Sequence, residues 1–344
     1  MSKNHSLEAT LTRAWLRRGP LACALWPVSL LFRALAALRA ALYRAGVLKS
    51  GRLPVPVVVV GNIFIGGTGK TPLTIWLAEA LVQAGMRPGV ISRGHGSEGA
   101  APRAVTLDAD AALVGDEPLL IARRTGVPVF VGRQRVEAGR ALLAAHPEVN
   151  VLLTDDGLQH YALARDVEVV LFDGRGVGNG WLLPAGPLRD PPSRRRDVTV
   201  VNAPEMTPAL ARAVGGQPFR MALAGDTAEQ LLDAKQRLPL AAFAGRRILA
   251  AAGIGNPGRF FAMLRGAGLS FEELPLPDHH DFRDNPFAGV DADVILITEK
   301  DAVKCGQLEN LKHDPRLWVV PVSARIDAAL AQQIVEKCRG RSTA

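Results

Sequence analysis

A chain of 344 residues with 48% hydrophobic and 22% charged content has material for two folded domains and excludes a disordered or low-complexity protein. Its net charge of +8 does not read as a nucleic-acid footprint, because residues 1–50 hold eight Lys/Arg against Glu8 alone and leave the rest within one charge of neutral. Cys23, Cys305 and Cys338 are few, scattered and odd in number, which excludes a disulfide framework or zinc site and agrees with a reducing compartment.

In chain order, residues 19–32 (GPLACALWPVSLLF) carry no charge, and an Ala/Leu-rich stretch with Arg33, Arg39 and Arg44 follows. Fourteen uncharged residues fall short of the roughly 20 that an upright membrane span needs, although Arg18 and Arg33 can snorkel and stretch them. Arginines flank both sides, so the positive-inside rule assigns no orientation. Three readings stand: a membrane-embedded or interfacial helix within residues 1–48, a soluble amphipathic helix packed on the body, and a cleaved signal peptide with Arg13, Arg17 and Arg18 as its basic start.

Residues 57–75 read VVVVGNIFIGGTGKTPLTI: a β-branched run, a glycine-rich turn, then a helix start. Gly66, Gly67, Thr68, Gly69, Lys70 and Thr71 form a phosphate-cradling loop. Glycines let backbone N–H groups turn toward anionic oxygens, and the helix N-terminus adds partial positive charge. Lys70 is placed for the β/γ-phosphates and Thr71 for Mg²⁺. The pattern G-x-x-x-x-G-K-[ST] has one departure, Phe64 where it asks for glycine. A nucleoside-triphosphate enzyme needs the cytosol, which counts against export and favours a cytosolic body held on a membrane.

Apolar runs at 55–60, 88–92, 127–131, 149–154, 167–172 and 198–202 alternate with helical patterns at 71–85, 117–125 and 134–146. This predicts βαβ units, a mostly parallel sheet covered on both faces, and a phosphate-loop domain over 49–210. Residues 204–245 are irregular and hold the boundary. A second αβ pattern at 246–255, 258–266, 294–300 and 317–323 predicts a smaller C-terminal α/β domain over 211–344, ending in a helix within 324–344. The expected fold is therefore α/β, with two α/β domains behind an N-terminal hydrophobic helix.

Several clusters carry chemistry. SRGHG (92–96) follows a strand and offers Arg93 for anion contact. VGDEP (114–118) sets Asp116 and Glu117 at a helix start, where an N-cap is the plain role for Asp116. VNVLLTDDGLQH (149–160) is a strand ending in Asp155 and Asp156, placed for Mg²⁺ at the strand C-termini. NGWLLPAGPLRD (179–190), with Asn179, Arg189 and Asp190, reads as a substrate-facing loop. LPDHHDF (276–282) has poor spacing for a metal and reads better as a histidine oriented by a carboxylate for proton transfer. TEKDAVK (298–304) follows an apolar strand and is expected to line the interdomain cleft.

Taken together, GNIFIGGTGKTP (61–72), SRGHG, GDEP (115–118), TDDGLQH (154–160), NGWLLPAGPLRD, AGIGNPGRFF (252–261), DHHDF (278–282) and TEKDAVK closely resemble the tetraacyldisaccharide 4′-kinase family, the lipid A 4′-kinases, over nearly the whole chain. His95 and Asp190 depart from the Tyr and Glu usual in that family. The resemblance implies ATP- and Mg²⁺-dependent transfer of a γ-phosphoryl group to the 4′-hydroxyl of a lipid A disaccharide 1-phosphate, at the inner face of the bacterial inner membrane. It implies that both domains are αβα, with an acid–imidazole pair at Asp116 and His279, phosphate binding by Lys70 and Thr71, and metal ligands among Thr71, Glu117, Asp155 and Asp156. Arg93, Asn179 and Arg189 are then expected at the lipid substrate. Asp116 and His279 fall in different expected domains, so a closed cleft must bring them together. No nucleic acid and no obligate protein partner are expected. The rival class, a membrane-associated partitioning or insertion ATPase, carries a second loop lysine where this chain has Ile65. A non-enzymatic basic membrane adaptor would leave the acidic pair and DHHDF without a role.

Overall fold

The computed structural model describes residues 14–94 and 101–340. His95 and Gly96 of the SRGHG segment and the basic residue Arg13 lie outside the described residues. The first long helix among the described residues, α1, spans Pro20–Arg44. The body then runs β1 (Val57–Asn62), α2 (Lys70–Gln83), β2 (Pro88–Ser92), β3 (Arg103–Ala104), α3 (Ala111–Val114), α4 (Asp116–Thr125), β4 (Val129–Val131), α5 (Arg135–Ala145), β5 (Val151–Asp155), β6 (Val167–Asp173), β7 (Val198–Asn202), α6 (Pro208–Val214) and β8 (Phe219–Ala224). A second unit follows with β9 (Thr227–Gln230), β10 (Arg237–Pro239), β11 (Ile248–Ala252), α7 (Pro257–Gly266), β12 (Glu272–Pro275), β13 (Val294–Thr298), α8 (Glu299–Cys305) and β14 (Leu317–Val320). Strand β15 (Ser323–Ile326) and helix α9 (Ala329–Arg339) close the chain.

Nine strands in the order β15-β8-β7-β6-β1-β5-β2-β4-β3 form the larger sheet, and six in the order β10-β9-β14-β13-β11-β12 the smaller. Pairing is parallel through the middle of both sheets; the antiparallel pairs β15·β8, β3·β4, β9·β10 and β9·β14 lie toward the edges. The β-branched runs explain the burial. Period-two alternation sends Val58 and Val60 into the core under α2, while Val57 and Val59 enter the core on the opposite face with Leu152 and Phe172. The smaller sheet repeats the device, with Val294 and Leu296 facing one way and Ile295 and Ile297 the other.

Two sequence expectations are corrected. The change of sheet falls between Ala224 and Thr227, not at residue 210, because β8 extends the larger sheet beside β7. Residues 323–326 are a strand antiparallel to β8 and not the start of the last helix, so the chain returns to the larger sheet and packs Leu330 and Ile334 into its core. The smaller unit is thus an excursion whose ends are joined to one edge of the larger sheet.

Helix α1 holds 25 residues, about 37 Å at 1.5 Å per residue, and is mostly exposed. Ala22, Leu25, Ser29, Phe32, Ala36, Ala40 and Tyr43 are covered, recur at three to four residues and, with Leu42 beside the last, form a stripe against the body. Ser29 donates to the carbonyl of Leu182 at 2.7 Å, and the Tyr43 and Tyr161 rings lie 5.8 Å apart. The helix therefore lies along the body and presents Val28, Leu31, Leu35 and Leu38 outward.

Candidate active site

The phosphate loop is built as the residue types require. Gly66 and Gly69 have φ of 92° and 100°, the left-handed region that disfavours a side chain. A Cβ on Gly69 would also meet Asn202 Nδ2 at 2.6 Å. Asn62, the last residue of β1, fills the loop: its Nδ2 donates to the carbonyls of Phe64 (2.6 Å) and Gly66 (3.2 Å) and to Thr68 Oγ1 (2.9 Å). Asn202 closes it from β7 by donating to the Thr68 carbonyl at 2.8 Å. Phe64 replaces the missing glycine by anchoring: it is buried, pairs with Leu188, and carries the Arg175 guanidinium 4.1 Å above its ring.

Lys70 lies beside this loop, 3.4 Å from Asn62 Oδ1 and 3.9 Å from Asp156 Oδ2. Asp156, at φ 51° just after β5, also ion-pairs with Arg189 at 3.0 Å. Burial alone would raise the Asp156 pKa, but Lys70 and Arg189 outweigh it and hold the group below the usual carboxylate range. Arg189 also donates to both oxygens of Asn62, so one guanidinium ties the strand end to the acidic pair. Asp155 behaves oppositely. It is 1% exposed, accepts from Thr74 Oγ1 at 3.3 Å, and forms no ion pair among the described residues. Burial first, then the charge of Glu117, pushes its pKa up to about 7.

Across the cleft, Asp116 is the first residue of α4 and Gly115 is its cap, so the N-cap role does not hold. The buried Asp116 carboxylate instead faces His279 Nδ1 at 3.2 Å and Lys304 Nζ at 2.9 Å. Burial opposes its ionisation, yet His279, Lys300 and Lys304 together hold its pKa well below the usual range. The hydrogen bond to Asp116 raises the His279 pKa against the effect of burial. His279 sits in a loop at φ 61°, outside regular structure. Lys300 brackets the pair, 3.2 Å from Glu117, 3.1 Å from Asp278 and 3.4 Å from His279 Nε2. The pair that the sequence expected to need closure is already in contact here.

The two units also meet at the phosphate loop. A Cβ on Gly255 would lie 2.6 Å from the Gly67 nitrogen, so Gly255 has no room for a side chain. Arg259 of α7 donates to the Thr68 carbonyl at 3.3 Å and ion-pairs with the buried Asp173 at 2.9 Å, which Arg175 also holds.

Not every expected residue faces this cleft with a free side chain. Asn179 is buried and spent on its own loop: its amide donates to the Ala185 carbonyl at 2.8 Å and accepts from the Trp181 nitrogen at 3.0 Å. It shapes the 179–188 segment and does not offer that amide to a ligand. Thr71 is buried at the start of α2, and Arg93 is exposed after β2, its charge felt at Arg135 and His160. Asp190 is buried against Arg194 and Gln159. Sequence reasoning missed Asn62, Asn202, Arg259 and Lys304. Asn62 and Asn202 share one signal, a polar residue that ends a buried β-branched run, where strand C-termini line a ligand crevice.

Residues 21–339 match the family described as Tetraacyldisaccharide-1-P 4′-kinase. A Tetraacyldisaccharide 4′-kinase of Janthinobacterium sp. (strain Marseille) is 65% identical over 98% of both chains, and one of Herminiimonas arsenicoxydans is 61% identical over 98% of both. A third, of Dechloromonas aromatica (strain RCB), is 49% identical over 98% of this chain and 100% of its own. Among solved structures, LpxK from Aquifex aeolicus in complex with ATP superposes with a TM-score of 0.76 at 28% identity, covering 92% of this chain and 99% of that one.

Proposed function

The chain belongs to the tetraacyldisaccharide-1-P 4′-kinase family, and we propose that it transfers the γ-phosphoryl group of ATP to the 4′-hydroxyl of a tetraacyldisaccharide 1-phosphate at a membrane surface. The observation that carries the mechanism is the 3.2 Å contact of Asp116 with His279, made across two sheets in the cleft that holds Lys70. A carboxylate kept ionised by His279, Lys300 and Lys304 accepts the acceptor hydroxyl's proton. The loose transition state of phosphoryl transfer asks for little base strength and much alignment, so a low pKa is no handicap. His279 Nδ1 orients that carboxylate. Lys70 and Arg189 bring positive charge to the β/γ-phosphates, and the 66–69 backbone cradles them.

The donor set fits a divalent cation, because Asp155 is a buried carboxylate beside Glu117 with burial and like charge both against its ionisation. Thr71, Glu117, Asp155 and Asp156 would hold Mg²⁺, which when bound supplies neutralising charge to the phosphates. Asp156 enters that role already paired to Lys70 and Arg189, so it doubles as their anchor.

The outward stripe of α1, with Arg33 and Arg44 exposed on the same helix, supports an interfacial helix on the cytoplasmic face of the inner membrane. An acylated substrate leaves the bilayer at a cost of about 0.8 kcal/mol per CH₂, so the enzyme must come to it. The test is transfer of label from γ-labelled ATP to tetraacyldisaccharide 1-phosphate in mixed micelles by the full-length protein. Label in the lipid, lost with Lys70→Ala, is expected; ATP hydrolysis without lipid labelling would overturn the proposal.

A further inference from the structure

The TEKDAVK segment supports the acid–imidazole pair from the smaller unit, and three of its charged side chains, Glu299, Lys300 and Lys304, reach across to α4. Glu299 binds Arg124 of α4 at 2.6 Å. Lys300 holds Glu117 and Asp278. Asp301 is wholly buried and accepts from the Gly253 nitrogen at 3.0 Å and Thr298 Oγ1 at 2.6 Å, fixing the start of α8 against β11. Lys304, one turn on, places its Nζ 2.9 Å from Asp116 Oδ2 and 3.0 Å from the carbonyl oxygen of His280.

We propose that Lys304 is a positioning residue for the transfer: one ammonium grips the Asp116 carboxylate on α4 and the His280 carbonyl in the opposite loop, and so sets the distance at which Asp116 meets His279. The inference rests on the reading of Asp116 as the proton acceptor. Two features require such a clamp. The loop that carries His279 has a left-handed residue at that position and is tied to its own unit by the His279 N–H bond to the Gly253 carbonyl and by Lys300. Asp116 belongs to the larger sheet's layer and His279 to the smaller, so no local hydrogen-bond ladder fixes their separation. The Lys304 side chain is only 16% exposed, so the bond competes little with water.

The test places Lys304→Met in wild-type and Asp116→Asn backgrounds, with kcat, KM for ATP and urea unfolding measured on each full-length protein. Misplacing a reacting group by an ångström costs on the order of 10²-fold, so Lys304→Met should lower kcat about 10–100-fold with KM for ATP within about threefold. In the Asp116→Asn background the same change should cost less than about threefold, because the group it positions is gone. A second variant guards against a folding loss. Lys304→Cys, made with Cys23→Ser because Cys23 is exposed while Cys305 and Cys338 are buried, is alkylated with 2-bromoethylamine or iodoacetamide. The amine should restore kcat and the neutral amide should not. Unchanged kcat in Lys304→Met, or an equal loss in both backgrounds, overturns the positioning role alone. Near-normal kcat in Asp116→Asn overturns the proton-acceptor reading beneath it.

Discussion

Asp155 gives the sharpest electrostatic prediction, because the fold works against its charge. An aspartate ordinarily titrates near 3.9, and this one is held at about 7 by burial and by Glu117, with Lys70 opposing. Burial and the neighbouring charge of Glu117 make it costly to carry Asp155 ionised in the ligand-free fold, on the order of a few kcal/mol. The folded protein holds this proton more tightly than the unfolded chain. The penalty is therefore absent below about pH 4, grows as pH rises, and is complete above about pH 7. Asp155→Asn removes the charge and keeps the shape. In urea unfolding without Mg²⁺, the variant should be more stable than wild type by about 1–4 kcal/mol at pH 8, with the gap shrinking toward pH 5. Mg²⁺ should narrow the gap by binding the folded wild type, while turnover of the variant falls at least about tenfold. A variant no more stable than wild type at pH 8 would refute the reasoning.

Further outcomes follow from the same geometry. Lys70→Ala should cut turnover by orders of magnitude in the labelled-ATP assay, because it removes a cation from the transferring phosphate. Leu31, Leu35 and Leu38 changed together to Asp should move the protein from membrane to soluble fractions while kcat on detergent-dispersed substrate stays within about twofold, since these side chains face away from the body. Deleting residues 1–45 should do both: release the protein and lower kcat in micelles, because Ser29 and Trp15 hold the 182–184 backbone of the loop that leads to Arg189. Asn179→Ala should cost about 1–3 kcal/mol in urea unfolding, the penalty for two unmade buried hydrogen bonds.

The central strands β1, β5, β6 and β7 were legible because they are runs rich in Val and Leu, whereas β8 fell in a stretch that reads as irregular; the phosphate loop was legible because strand, glycines and Lys-Thr coincide within a few residues. The strand Ser323–Ile326 was not. Its four residues alternate polar and apolar but are too few, and too close to the last helix, to stand out without the pairing with β8. The covered stripe of α1 was hidden for a different reason: Ala and Leu occupy both faces, and position alone separates Ala36 against the body from Leu35 outside. Asp116 and His279 stand 163 positions apart, so no local pattern links them, and only the family resemblance joined them in the sequence. Lys304 was legible only as part of TEKDAVK, a segment expected at the cleft; which of its charges reaches Asp116 depends on the turn of the helix and the packing of the two units.

The central claim is that Asp116 and His279 act as one unit on the acceptor hydroxyl. A double-mutant cycle on kcat measures it directly, using Asp116→Asn, His279→Ala and the combination, with ATP affinity as the control. Asp116→Asn should lower kcat by about 10²–10⁴ and His279→Ala by less, with little change in ATP binding. The double variant should then lose far less than the product of the two single effects. Fully multiplicative losses would contradict the account and leave Asp116 and His279 as independent contributors.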